Sequence, residues 1–249
     1  MNAPGQVWAR AATALRFMTR LPVPGARADL AAAAAFFPLA GAMIGALAAL
    51  VWLAGFVIGL PPWPAAVLVL AVQLWLTGAL HEDGLADCAD GLGGGARPER
   101  ALEIMRDSRI GAYGAAALGL SILARAAALA ALGPWTGAAA LIVAHVLARA
   151  GIVASLMLLP YARADGLAAE AQRAGGAATG LLAFLPALAL TLWLGGVAGA
   201  VALVVAGAVW VWISRRLMRR LGGYTGDGLG ATEQMIEIAA LMTFAALWA

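Results

Sequence analysis

The chain has 249 residues, 63% of them hydrophobic and only 12% charged, whereas a soluble domain carries roughly 25% charged residues. A water-soluble enzyme is excluded, and a polytopic membrane protein is indicated. The 16 basic residues, all arginine, against 13 acidic ones leave a net charge of +3, and no nucleic-acid partner is expected. The missing lysines are read as base composition rather than function. The single Cys88 excludes an internal disulfide. Without a Cys or His partner at ligand spacing it is weak evidence for zinc, and it reads as a small filler residue.

The N-terminal segment, residues 1–30, carries Arg10, Arg16 and Arg20 with no apolar core ending in a cleavage site, so no removable signal peptide is expected. Apolar runs long enough to cross a bilayer follow at about 31–53, 63–80, 111–132, 137–159, 180–195, 197–213 and 234–249. The fifth and sixth are short and separated by Gly195 and Gly196, which suits a tight hairpin or a re-entrant pair. Connections 54–62 and 133–136 and the Gly195–Gly196 turn carry no charge, while Arg residues fill the opposite connections. That asymmetry places the N-terminus in the cytoplasm and the C-terminus outside if all seven runs span. Trp63 and Trp135 then serve as external interfacial anchors. The expected fold is an all-α membrane bundle of about seven transmembrane helices. It forms one catalytic domain over 1–249, with the active site on the cytoplasmic face and no internal repeat.

After the second run comes HEDGLADCADGLGGG, residues 81–95, and seven of the 13 acidic residues lie between Glu82 and Asp107. Like charges gathered beside a membrane repel one another, and a cation offsets that cost. Asp83, Asp87 and Asp90 stand at i, i+4 and i+7, so a helix puts them on one face. Hard carboxylate oxygens suit Mg²⁺, which also binds substrate phosphates. His81 is a candidate base, metal ligand or phosphate donor. The glycine run 91–95 lacks the preceding strand that a dinucleotide site requires and reads as a turn.

MRDSRIGAYG opens the third run. Arg106, Ser108 and Arg109 precede a helix N-terminus, where an anion is favoured, and Asp107 offers a further carboxylate for metal. Arg125 and Arg149 fall within the third and fourth runs, His145 one turn from Arg149. Intramembrane arginine is a functional hypothesis by default. No acid is evident at similar depth, and Glu237 is the one candidate to reach either arginine. Arg215, Arg216, Arg219 and Arg220 read as an anchor touching anionic lipid. In GYTGDGLGATEQ the glycines suggest a backbone bent around a ligand, with Asp227 a second metal contact or an orienter of the nucleophile. Thr232 and Glu233 are candidate caps of the last span. No nucleophile–base pair of the hydrolase kind is present. Cation-assisted chemistry on a phosphate ester or pyrophosphate is what these residues offer.

Residues 17–24 (FMTRLPVP), His81 to Gly91, Glu103 to Gly114, Pro160-Tyr161-Ala162-Arg163, and Gly223 to Asp227 followed by Gly230-Ala231 resemble the cobalamin synthase family, the adenosylcobinamide-GDP ribazoletransferases, also called cobalamin 5′-phosphate synthases. The blocks span residues 17 to about 237, and the joint occurrence of HEDGLADCADG and MRDSRIGAYG is highly specific. The resemblance implies a Mg²⁺-dependent enzyme of the bacterial inner membrane. It would join α-ribazole or its 5′-phosphate to adenosylcobinamide-GDP, releasing GMP, with the lipid bilayer as its surroundings and homo-oligomerisation left open. On that reading His81, Asp83, Asp87, Asp90 and Asp227 are catalytic. Asp83, Asp87, Asp90 and Asp107 hold metal. Arg106, Ser108, Arg109, Tyr113, Arg149 and Tyr224 contact substrate. The acidic block is also similar to the signature of CDP-alcohol phosphotransferases, whose downstream spacing is not kept, so that likeness is one of mechanism. A metal-coupled transporter would place acids at mid-membrane depth and carry a repeat.

Overall fold

A computed structural model of the chain describes residues 3–163 and 176–248. The described residues are helical almost throughout. Helix α1 (Ala3–Met18) is followed by α2 (Leu30–Ala33), a 3-10 turn (Ala34–Phe36) and α3 (Phe37–Val57). Next come α4 (Pro62–Thr77), α5 (Leu80–Gly94), the short α6 (Pro98–Ile104), α7 (Ala112–Ala130) and α8 (Pro134–Leu158). The chain closes with α9 (Ala177–Leu221) and α10 (Gly226–Trp248).

Helices α3 and α8 are the central pair. Gly41 and Gly45 of α3 let the two backbones touch: a Cβ at Gly45 would stand 2.6 Å from the Cα of Ile142, and one at Gly41 would strike the carbonyl of His145. This is the small-residue packing that apolar surroundings favour, where close van der Waals contact replaces the hydrophobic drive. Around the pair a core of Trp52, Val69, Leu129, Leu141 and Phe244 is fully enclosed. The Trp52 indole N–H donates to the carbonyl of Pro134 at 3.0 Å, so its one polar atom is satisfied.

Four helical stretches are long and apolar enough to cross a membrane: Leu30–Val57, Ala112–Ala130, Pro134–Leu158 and Ala177–Leu221. A fifth arises if α4 and α5 count as one broken span, the two being bent by 91°. The bend sits at Gly78 and Ala79, both with positive φ (69° and 58°), and it ends the expected 63–80 run at Thr77. Unbroken, the 45 residues of α9 would extend about 68 Å, more than twice the ~30 Å hydrocarbon thickness. Instead the chain breaks at Gly196 (φ 51°, ψ −129°). A Cβ at Gly199 would strike the carbonyl of Thr191, eight residues earlier, so the second limb folds back along the first. The break falls at the Gly195–Gly196 turn, where the sequence suits a tight hairpin or a re-entrant pair.

The last helix differs from expectation at its start. It begins at Gly226 rather than near 234, and its first turn is tied by Thr225, whose hydroxyl accepts from the amide of Gly228 at 3.0 Å. Thr232 and Glu233 are therefore interior helix residues, not caps. Thr232 donates to the carbonyl of Gly228 at 2.7 Å, and Glu233 is buried.

Candidate functional site

The acidic segment forms α5 as its periodicity suggests, and α10 crosses it at two glycines. A Cβ at Gly84 would stand 3.0 Å from the carbonyl oxygen of Asp227, and one at Gly230 would stand 3.0 Å from that of His81. Backbone therefore lies on backbone, which brings Asp227 beside Asp83 and Asp87. A second tie fixes the approach. Segment 160–162 pairs with Tyr224 through Ala162 N–H to the Tyr224 carbonyl (2.8 Å) and Tyr224 N–H to the Pro160 carbonyl (2.9 Å). The next residue, Arg163, then donates to Oδ2 of Asp227 at 2.7 Å.

These groups edge a cavity of about 260 Å³. His81, Asp83, Arg163 and Asp227 supply its polar wall, and Phe17, Phe37, Ile152 and Leu156 its apolar one. Asp87 is pushed up to about 6 by partial burial and by the charges of Asp83, Asp227 and Asp90. Three carboxylates with one guanidinium leave an excess of negative charge on oxygen donors alone, which fits a hard divalent cation. Cys88, behind them, has its thiol pushed up to about 12 by burial, as suits an inert packing residue.

The other expected site residues fall elsewhere. Asp90 faces α7: Oδ2 accepts from the amide of Gly111 (2.7 Å) and Oδ1 from that of Gly114 (2.9 Å), so both oxygens cap a helix. Asp107 is engaged by Arg109 through contacts of 2.6 to 3.2 Å. Hydrogen bonds from Arg109 hold its carboxyl down at about 2. Arg106, Ser108 and Arg109 form the exposed corner ahead of α7. Tyr113 is also exposed, its ring beside Gly93. None of these borders the cavity; the corner lies at the opposite end of α5, joined to it by Asp90. Tyr224 is fully buried against Tyr161 (ring centroids 5.2 Å) and offers a substrate no surface. Of PYARADGL, residues 164–167 lie outside the described residues, as does Arg173.

Arg149 lies inside the bundle. It is 1% exposed, bonded to Glu233 and to Nδ1 of His145. Arg125 donates to Glu82 (3.1 Å) and Glu237 (3.3 Å). The expected lack of acids at that depth fails because α10 carries Glu233 and Glu237 at i, i+4 into the bundle, opposite His145 and Arg149 at the same spacing on α8. Gln234 links Glu82 and Glu233, and Gln73 reaches Nε2 of His145 at 2.6 Å. The matched i, i+4 pairs were the available signal. His145, Glu233 and Glu237 are the described residues whose donor atoms converge within 4.8 Å as a metal would need. Two arginines already supply their counter-charge, however, and the trio lies inside the bundle. The cavity aspartates are less tightly gathered but are short of positive charge and open to a ligand. His81 connects the two regions, its Nδ1 lying 3.5 Å from Arg149 and 3.7 Å from Glu233.

The chain matches the family model for cobalamin-5-phosphate synthase over residues 10–245. It is 47% identical to the adenosylcobinamide-GDP ribazoletransferase of Bradyrhizobium diazoefficiens, with 94% of this chain and 92% of that one covered. Identity is 45% to the enzyme of that name from Azorhizobium caulinodans, over 95% of both chains. It is 40% to that from Ralstonia pickettii, over 97% and 96%. No solved structure matches. With a family match running almost from end to end, the chain belongs to the cobalamin-5-phosphate synthase family.

Proposed function

We propose that this protein is the membrane transferase that joins α-ribazole, or its 5′-phosphate, to adenosylcobinamide-GDP, giving adenosylcobalamin or its 5′-phosphate and GMP. Family membership supports the reaction, and one observation carries the assignment of the site. The crossing of α5 and α10 puts Asp83 and Asp227 on the wall of a cavity, with Asp87 beside them, a guanidinium on its polar side and an apolar far wall.

Asp83, Asp87 and Asp227 would hold Mg²⁺, whose charge, when bound, offsets that of the donor's diphosphate. Arg163 is the guanidinium in the cavity, placed to bind a phosphate oxygen. The 3′-hydroxyl of α-ribazole attacks the phosphorus joined to the cobinamide; a new O–P bond forms as the bond to GMP breaks. The hydroxyl proton passes to His81 or to a carboxylate of the cavity. Phe17, Phe37, Ile152 and Leu156 exclude water that would compete as acceptor. Arg106, Ser108 and Arg109, fastened to α5 through Asp90, lie beyond the cavity, where a donor as large as a corrinoid nucleotide extends its GMP end.

In the bacterial inner membrane seven crossings would comprise Leu30–Val57, α4, α7, α8, the two limbs of α9 and α10. Arg10, Arg97, Arg163 and Arg219 on one side make that side cytoplasmic, and the cavity with it. The test is reconstitution: protein in phospholipid vesicles with Mg²⁺, adenosylcobinamide-GDP and α-ribazole releases GMP and yields a complete corrinoid. Omitting either organic substrate or Mg²⁺ stops it. Failure to form GMP with both substrates present overturns the reading.

A further inference from the structure

The four arginines at the end of α9 divide between two faces. Arg220 turns inward and donates to the carbonyl of Gly95 at the end of α5, and Arg216, itself exposed, lies one turn earlier on that same side of the helix. Arg215 and Arg219 point outward and are exposed. No carboxylate among the described residues pairs with either; the Nε of Arg219 reaches only the carbonyl of Arg215. Two adjoining grooves, of about 390 and 520 Å³, meet along Val211, Arg215 and Arg219. Trp212, 54% exposed, lines one groove, and Ser214 the other. Ser214 is 5% exposed and its hydroxyl has no hydrogen-bond partner, although a helical serine ordinarily bonds the carbonyl one turn back.

This half of α9 passes from exposed apolar residues, Val197, Val201 and Val204, through Trp212 to the basic run. That is the order met on moving from acyl chains to headgroups, with Trp at the boundary. We propose that the groove binds one anionic phospholipid. Its phosphate lies between Arg215 and Arg219, the Ser214 hydroxyl donates to a headgroup or glycerol oxygen, and an acyl chain lies along Val211 and Trp212. The occupant is a lipid rather than a soluble phosphate, because the walls that continue from the two arginines are apolar.

Native mass spectrometry of the full chain, with phosphatidylglycerol or phosphatidylcholine added to the detergent micelle, tests this without any substrate. The wild type retains one phosphatidylglycerol and little phosphatidylcholine, and phosphatidylglycerol raises its unfolding midpoint. Each arginine near an anionic lipid contributes enough for roughly a fivefold effect, so Arg215→Gln/Arg219→Gln weakens retention about 25-fold. Ser214→Ala weakens it less. Arg100→Gln, on the same side of the protein but outside the groove, leaves it unchanged. Equal retention of both lipids, undiminished retention by the folded double variant, a matching loss in Arg100→Gln, or displacement by GMP or inorganic phosphate would overturn the proposal.

Discussion

Arg163 donates to Oδ2 of Asp227 at 2.7 Å, so the guanidinium best placed for a phosphate is also the counter-charge of a carboxylate that a cation would need. Each can leave the other only when its replacement arrives, which ties metal and diphosphate binding together. Arg163→Gln separates the two effects. It frees Asp227, so Mg²⁺, or Mn²⁺ as a spectroscopic substitute, should bind a few-fold more tightly by titration. Turnover should fall by about 10²–10³, the usual cost of one lost electrostatic donor. Weaker cation binding together with normal turnover would contradict the arrangement.

Asp83→Asn and Asp87→Asn should abolish turnover and Mg²⁺ binding while the protein stays folded in detergent. Asp90→Ala should behave differently. It strips both amides, Gly111 and Gly114, of their acceptor, which costs about 2 kcal/mol for a helix cap. The expected reading is a lowered unfolding midpoint with cation affinity retained. Loss of cation affinity in a fully stable Asp90→Ala protein would return Asp90 to the metal.

Glu233 and Arg149 form an ion pair sealed inside the bundle, at 0% and 1% exposure. Removing one partner leaves the other charge buried, a cost of about 3–5 kcal/mol, whereas replacing both with apolar groups is often neutral. Arg149→Met or Glu233→Gln alone should therefore yield little folded protein, and Arg149→Met/Glu233→Met should recover it. Fluorescence-detected size exclusion separates these outcomes. A well-folded single Arg149→Met variant with a raised KM for the corrinoid nucleotide would instead make Arg149 a substrate ligand.

What the sequence made legible was what is local. The i, i+4, i+7 spacing of Asp83, Asp87 and Asp90 defines a helical face, and Gly195–Gly196 marks a turn, because each depends on neighbours along the chain. Which face of α5 meets which partner is not local. Asp90 is claimed by amides 21 and 24 residues away, and Arg163 reaches Asp227 only through the pairing of Tyr224 with residues 160–162. Thr232–Glu233 before an apolar run imitates a cap. Only the packing of α10 on α8 reveals Glu233 as the partner of Arg149.

The carboxyl of Asp87, ordinarily near 3.8, stands at about 6 because it is partly buried among Asp83, Asp227 and Asp90. A carboxyl raised in the folded state binds its proton there more firmly than in the unfolded chain, so its contribution to stability is complete below pH 3.8 and is lost as pH climbs through 6. Without a divalent cation the protein should thus become less stable between pH 5 and 7.5. A cation reverses this, since it takes the place of the proton and binds only the ionised group. Below pH 6 each unit should weaken Mg²⁺ binding about tenfold through this one carboxyl. The stabilisation given by a fixed Mg²⁺ concentration follows the ratio of that concentration to its dissociation constant, so it should be small at pH 5 and large at pH 7.5. Unfolding midpoints with Mg²⁺ and with a chelator at both values measure it, and Asp87→Asn should flatten the pH dependence of the cation-free protein. A Mg²⁺ effect equal at pH 5 and pH 7.5 would show that the cation does not compete with the proton of Asp87.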